Sequence, residues 1–315
     1  MTRFALLCSR AAVAATCALT LAAAPGAAHA QTPGTTVTMR VADHSLVYGQ
    51  TADVRGQVTP AGPGRIVTLQ LARPGGAWET LAQAQTGPRG GFRLRAVLPA
   101  SGVVRVVTDD AQARAAGVAA PPTASGAARI AVAADVVPRR RRLDVLAGRR
   151  AVLRGAIRPA AAGRRVVLQR RTRGGWATVA RSRTGPAGGF VLRKRLGRAM
   201  SAILRVRVAG GGGLVGARES VGRLNVFRRA LASWYGPGFY GGALACGGRL
   251  GWGTLGVAHK TLPCGTALTL RYGRRTVRVR VIDRGPYVGG REFDLTAATK
   301  RRLGFGGVGT VLVTR

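Results

Sequence analysis

A segment of about one hundred residues is written twice in this chain. Thr86-Gly87-Pro88-Arg89-Gly90-Gly91-Phe92 returns as Thr184-Gly185-Pro186-Ala187-Gly188-Gly189-Phe190, and Trp78 returns as Trp176. Upstream, Val54-Arg55-Gly56-Gln57-Val58 answers Leu153-Arg154-Gly155-Ala156-Ile157, and Val67-Thr68-Leu69-Gln70 answers Val166-Val167-Leu168-Gln169. The offset is 98 or 99 residues throughout, so a single indel accounts for the difference. Self-similarity at one spacing means one domain folded twice. Within each copy, short alternating runs such as Arg65–Leu71 are separated by Gly/Pro clusters every ~8–12 residues, the signature of a β-sandwich.

Copies of this size resemble immunoglobulin- or fibronectin-type sandwiches. Composition divides the chain into residues 31–112 and 128–229 as the two repeats, with an Ala/Gly/Pro-rich linker at 113–127. Phe92, Phe190, Trp78 and Trp176 read as apolar core anchors; the alternative for the two tryptophans is stacking on sugar rings. Arg139–Arg142 is a run of four cations after Pro138, either a solvated face or a contact for an anionic polymer. Gly210–Gly213 forms a loop before the last strand of the second copy. No linker separates that strand from residues 231–315.

Residues 1–30 read as a secretory signal peptide: Arg3 and Arg10 at the positive start, an Ala/Leu/Val-rich run, and Ala28-His29-Ala30 as the cleavage site. No other segment reaches the roughly 18 apolar residues a membrane span needs. The expected location is secreted: extracellular, periplasmic or wall-associated. Cleavage removes Cys8 and Cys17 and leaves Cys246 and Cys264, an even count in an oxidising compartment that favours a disulfide over a metal site. The chain holds 50 Lys+Arg against 11 Asp+Glu, a net charge of +39, nearly all of it Arg. Such a surface seeks polyanions. Outside a cell the candidates are wall carboxylates, phosphodiester wall polymers and anionic lipids, and no nucleic acid is expected. The rival reading is codon usage rich in Arg, Ala and Gly.

Residues 231–315 carry three motifs in order: Ala232-Ser233-Trp234-Tyr235-Gly236-Pro237-Gly238, Val257-Ala258-His259-Lys260-Thr261-Leu262-Pro263 and Val281-Ile282-Asp283-Arg284-Gly285-Pro286-Tyr287. Together they resemble the double-psi β-barrel of the rare lipoprotein A (RlpA) family, related in fold to expansins and barwin. Strands are expected at 249–255, 267–272, 276–282 and 310–314. A helix is expected from Ala297 to Leu303, with Gly304 ending it. The architecture is therefore all-β: two tandem immunoglobulin/fibronectin-like sandwich repeats, then, over residues 230–315, a six-stranded double-psi β-barrel with one short helix.

The resemblance implies a partner, the peptidoglycan glycan strand, and an activity, lytic transglycosylation, with no metal or organic cofactor. It marks Asp283 as the catalytic carboxyl and His259 as its groove partner. Gly285 and Pro286 put Asp283 in a tight turn at a strand end; the plainer reading is that Asp283 caps that turn. Trp234, Tyr235, Arg284 and Tyr287 are the candidate substrate contacts. One feature departs from the family. RlpA-type enzymes carry a Glu eleven residues before the His, and here that position is Gly248, in Leu244-Ala245-Cys246-Gly247-Gly248. Of the remaining acids, Asp294 reads as structural at the helix start and Glu292 as an exposed strand residue. The missing Glu leaves a second expectation standing, a non-catalytic peptidoglycan-binding or expansin-like wall-loosening module.

Overall fold

The computed structural model describes residues 34–109, 122–140 and 142–315. The signal segment with Cys8 and Cys17, most of the 113–127 stretch, and Arg141 lie outside them. The first copy contains β1 (Thr36–Val41), β2 (Ser45–Val47), β3 (Thr51–Thr59), β4 (Ile66–Ala72), β5 (Trp78–Gln85), β6 (Gly91–Val97), β7 (Gly102–Thr108), β8 (Thr123–Ala124) and β9 (Ala128–Ala133). One sheet runs β1-β3-β6, and the other runs β2-β9-β7-β4-β5 with β8 beside β7. The second copy contains β10 (Asp135–Pro138), β11 (Arg142–Leu146), β12 (Arg150–Arg158), β13 (Arg165–Thr172), β14 (Gly175–Arg183), β15 (Gly189–Arg195), β16 (Met200–Val208) and β17 (Ala217–Tyr235). Its pairings repeat the first: β10-β12-β15 on one side, β14-β13-β16-β17 with β11 on the other. Even the parallel contact recurs, β2 against β9 and β11 against β17.

β9 lies in the stretch that composition assigns to the second repeat. It pairs antiparallel with β7 and parallel with β2, inside the first sandwich. The Ala/Gly/Pro-rich stretch before it thus joins two strands of one domain, as Gly210–Gly213 does in the second copy. Long connections within a domain and linkers between domains share the same turn-forming residues, so composition does not tell them apart.

The repeated motif is a packing device. Thr86 Oγ1 donates to the carbonyl of Gly62 (2.7 Å) and accepts from Arg65 N (3.1 Å). Thr184 does the same with Ala161 (2.5 Å) and Arg164 (3.0 Å). Phe92 and Phe190 are buried, each over the cross-strand glycine opposite it, Gly56 or Gly155. A Cβ on those glycines would meet the ring at 2.4 or 2.5 Å and the neighbouring strand's carbonyl oxygen, of Thr38 or Val137, at 2.0 or 2.8 Å, which is why each copy carries Gly after its Arg. The tryptophans are not core anchors. Both are half-buried, and each ring is covered by a guanidinium 4.0 Å away, Arg105 over Trp78 and Arg205 over Trp176. They follow hairpin turns, where strand alternation carries the side chain to the outer face.

β17 is a 19-residue strand shared by the second sandwich and the terminal module. Its first part pairs with β16 and its last part with β21 (Phe293–Thr296) and β22 (Gly309–Val313). Between these come β18 (Val257–His259), β19 (Ala267–Tyr272), β20 (Arg275–Asp283) and helix α1 (Ala297–Leu303). The pairings close a ring, β17-β21-β18-β20-β19-β22 and back to β17, with β17/β21 and β18/β20 parallel. Its interior is apolar, with Val257, Leu270, Val281, Phe293, Leu295 and Val313 fully buried. Thr296 caps α1 by accepting from Thr299 N, and Gly304 ends it in the left-handed conformation. The strand expected at 249–255 does not form: Arg249 makes one bridge to Ala243, and the Gly-rich segment after it turns. Among the described residues no helix is long and apolar enough to cross a membrane.

Candidate functional site

The three motifs meet because their strands are neighbours in the ring. Ala258 on β18 is paired with Asp283 at the end of β20 on one side and with Asp294 on β21 on the other. Asp294 is in turn paired with Ser233 on β17, whose Oγ donates to its Oδ1. A row Asp283–Ala258–Asp294–Ser233 thus crosses four strands. Two inter-strand spacings separate the aspartates, about 10 Å between Cα atoms. Ala258 leaves the space between them open.

Asp283, Ala258 and Asp294 of this row floor a groove of ≈ 280 Å³ whose walls include Tyr235, Phe239, Leu244, Leu250 and Tyr287. Tyr287 stands at the rim, 87% exposed. Asp283 is held by backbone: its Oδ1 accepts from Arg284 N (2.8 Å) and Ala245 N (2.9 Å). Ala245 belongs to the turn that stands in for the family's Glu loop. There Cys246 is bonded to Cys264, Cys246 N donates to the carbonyl of Ile282 (3.2 Å), and Gly248 has φ +81°. An L side chain rarely adopts that conformation. The loop therefore supplies a backbone donor to Asp283 and no carboxylate. The Tyr235 hydroxyl is buried beside Asp283, and burial first, then the charge of Asp283 and its hydrogen bond to the hydroxyl, then the charge of Asp294, push its pKa far above the ordinary phenol value.

The sequence candidates divide. Tyr235, Asp283, Arg284 and Tyr287 line the groove. The Arg284 guanidinium, however, donates to the carbonyls of Leu262 (2.9 Å) and His259 (3.3 Å), bracing the second motif. Trp234 points to the other side of β17, where Lys300 Nζ lies 3.7 Å from its ring centre. His259 is also turned from the groove. It is buried, its ring packs 4.8 Å from that of Phe293, and Nδ1 accepts from Thr261 N (3.1 Å) and Leu262 N (3.0 Å). That fixes the proton on Nε2, 3.7 Å from Glu292. Burial lowers the His259 pKa against the opposing pull of Glu292, with Arg228 and Arg284 adding to the fall. Glu292 is not an exposed strand residue: it is half-buried in a two-pronged pair with Arg228, which lowers its pKa.

The groove lining outside the three motifs includes Phe239, Leu244, Leu250 and Asp294. The signal for Asp294 lies in the alternation of Phe293-Asp294-Leu295: with its neighbours inside the barrel, the Asp must face out.

A family profile described as lytic transglycolase matches residues 228–314. The carboxy-terminal segment is an RlpA-like double-psi β-barrel. Over 109 residues the chain is 44% identical to a probable endolytic peptidoglycan transglycosylase RlpA of Synechocystis, covering 30% of this chain and 34% of that one. A protein of the same description from Aquifex aeolicus is 46% identical over 24% of this chain and 34% of its own. The endolytic peptidoglycan transglycosylase RlpA of Campylobacter jejuni is 42% identical over 26% of this chain and 31% of its own. The chain thus spans about a third of the length of these relatives. A solved tetra-tandem repeat from the extending region of a large adhesion protein aligns over 82% of this chain and 66% of its own, at 14% identity and a TM-score of 0.30, too distant to carry an argument.

Proposed function

We propose that the RlpA-like barrel binds a peptidoglycan glycan strand in this groove and cleaves it as a lytic transglycosylase, with Asp283 as acid and base. The observation that carries the reading is the placement of the Asp283 carboxyl, fixed by two backbone N–H groups on the floor of an aromatic-walled groove. With Oδ1 so occupied, Oδ2 is the oxygen that carries the proton. It protonates the glycosidic oxygen as the C1–O bond breaks, then accepts the proton of the muramyl 6-hydroxyl as O6 closes on C1. No water is consumed, and the product is a 1,6-anhydro end. The nucleophile is held on the substrate, so proximity replaces the second catalytic carboxyl that a hydrolase requires. Acid–base assistance of this kind contributes roughly 10²–10⁴-fold. Tyr287 offers a face for a sugar ring, His259 and Arg284 hold the second motif against the strand bearing Asp283, and the amino-terminal segment supports export to the cell envelope.

The glycine at position 248 favours a second reading, a barrel that binds or loosens the wall without cutting it. Incubating the protein and its Asp283→Asn variant with purified peptidoglycan, intact and stripped of stem peptides, separates the two by mass spectrometry of soluble products. Anhydro-muramyl ends from the wild type, lost in the variant, support the transglycosylase. Reducing muramyl ends would replace it with a hydrolase that uses Asp294 as second carboxyl. Sedimentation with the wall and no products from either protein leaves the binding module.

A further inference from the structure

The two sandwiches share a fold but not a charge pattern, and the difference is concentrated on one face. In the first copy Asp53, on the outer face of β3, sits among three arginines: it pairs with Arg93 and approaches Arg55 (3.4 Å) and Arg95 (3.6 Å). The equivalent position on β12 is Val152. Around it, Thr51 and Val97, which face each other across β3 and β6, are replaced by Arg150 and Arg195, which face each other across β12 and β15. Val41 becomes Arg140, and Arg40 is retained as Arg139. Like charges directly opposite on neighbouring strands destabilise a sheet. The first copy offsets its opposed Arg55 and Arg93 with Asp53, whereas the opposed Arg150 and Arg195 of the second have no carboxylate within ion-pair distance among the described residues.

The cations are free to act. Arg139, Arg140, Arg150, Arg154 and Arg193 are exposed, and none has a carboxylate within ion-pair distance among the described residues. Arg139, Arg140, Arg150 and Arg154 line one groove of ≈ 400 Å³. The acid in its lining, Asp144, is already engaged by Arg142 (2.9 Å) and by Asn225 Nδ2 (2.8 Å).

We infer that the outer face of the β10-β12-β15 sheet, centred on this groove, binds a linear phosphate-bearing polymer. Guanidinium forks rise side by side from neighbouring strands, Arg139 and Arg140 where β10 ends and Arg150 and Arg154 on β12, with Arg139 N donating to the carbonyl of Arg154 (2.9 Å). A tetrahedral phosphate diester, its charge shared by two non-bridging oxygens, can take a fork from each strand, whereas a planar carboxylate is satisfied by a single fork. Among the described residues no aromatic side chain lines this groove to stack a base, which argues against single-stranded nucleic acid. The inference is independent of whether the barrel cuts glycan.

The test exploits the duplication. Binding of fluorescently labelled inorganic polyphosphate to the purified protein is measured across a salt series, with poly-glutamate of matched length in parallel. Val152→Asp installs the clamp that the first copy tolerates at the same position, so the fold has a precedent for it. With Val191 standing where the first copy has Arg93, it engages Arg154 and Arg193, and should weaken polyphosphate binding at least tenfold and flatten the log–log salt slope by about 1.4, at roughly 0.7 for each of two phosphate contacts. Asp53→Val, which frees three arginines in the first copy, should strengthen binding, and Arg150→Ser with Arg154→Ser should weaken it as Val152→Asp does. Unchanged binding in a folded Val152→Asp protein, or in the double serine variant, overturns the site. Poly-glutamate binding as tightly as polyphosphate overturns the choice of phosphate.

Discussion

Replacing His259 separates a catalytic histidine from one that holds a loop. In the structure its Nδ1 is the shared acceptor for Thr261 N and Leu262 N at 3.1 and 3.0 Å, and its ring lies 4.8 Å from Phe293. His259→Leu deprives both N–H groups of their acceptor. Thr261 is exposed and Leu262 half-buried, so the loss is at the low end for unsatisfied donors, about 1 kcal/mol each. The aromatic contact adds about 0.5–1.5 kcal/mol, for a total near 3 kcal/mol. His259→Asn keeps the Thr261 contribution and loses the other two, because an Asn side chain accepts from the N–H two residues on. Thermal unfolding and release of anhydro-muramyl ends are measured on both variants. Asn should keep activity within about tenfold of wild type, against the 10²–10⁴-fold that acid–base participation supplies, while Leu loses stability and activity together. An Asn variant as stable as wild type yet inactive would refute the positioning role and put the imidazole in the chemistry.

The remaining predictions concern what holds the fold and the groove. Thr184→Val preserves shape but strips a buried N–H and a half-buried carbonyl of their partner, costing about 2–3 kcal/mol by denaturant unfolding; Thr86→Val, whose two partners are half-buried, should cost about 1–2 kcal/mol, and a cost under about 0.5 kcal/mol in either would refute the account of the motif. Cys246→Ser opens a crosslink between residues 18 apart, worth roughly 3 kcal/mol in barrel stability. It also frees the turn that presents Ala245 N to Asp283, so glycan cleavage should fall in the oxidised-minus-reduced comparison of the wild type as well. Stability should decline with acid in two stages. His259, whose pKa is lowered in the fold, contributes stability that is full above its ordinary value of 6.5 and is lost as pH falls through the depressed one. Glu292, lowered by Arg228, follows the same sign below 4.5. Melting curves that stay flat from pH ~7 to ~5, or a first stage that survives in His259→Asn, would contradict this assignment.

What the sequence made legible depends on how local the cause is. The duplication, the alternating strands, α1 with its Gly304 cap and the order of the barrel motifs rest on nearest-neighbour patterns, and the structure carries them. The outward position of Trp78 and Trp176 was hidden because a hairpin turn sets which face a strand begins on, and the Arg105 and Arg205 that cover them come from other strands. The orientation of His259 was hidden for a related reason. Motif proximity places it next to Ala258 on β18, but adjacent residues on a strand face opposite ways, and only the ring closure shows which way is the groove. Asp294 is the converse case: outside the three motifs, it reaches the floor because β21 is the strand that pairs with both β17 and β18.

That pairing bears on the absent Glu. The loop at 244–248 has been rebuilt around a disulfide and a left-handed glycine, and the chemistry it offers Asp283 is a hydrogen bond in place of a second negative charge. A carboxylate nearby would repel the one that collects the proton from O6 in the proposed reaction; a backbone N–H holds it in place. The charge that remains, Asp294, stands one strand beyond Ala258, with one oxygen taken by Ser233. Neutralising it should therefore spare the anhydro product if Asp283 works alone. Asp294→Asn that abolishes product as fully as Asp283→Asn would mean that the groove runs on two carboxyls, with the second moved from the rebuilt loop to the next strand of the barrel.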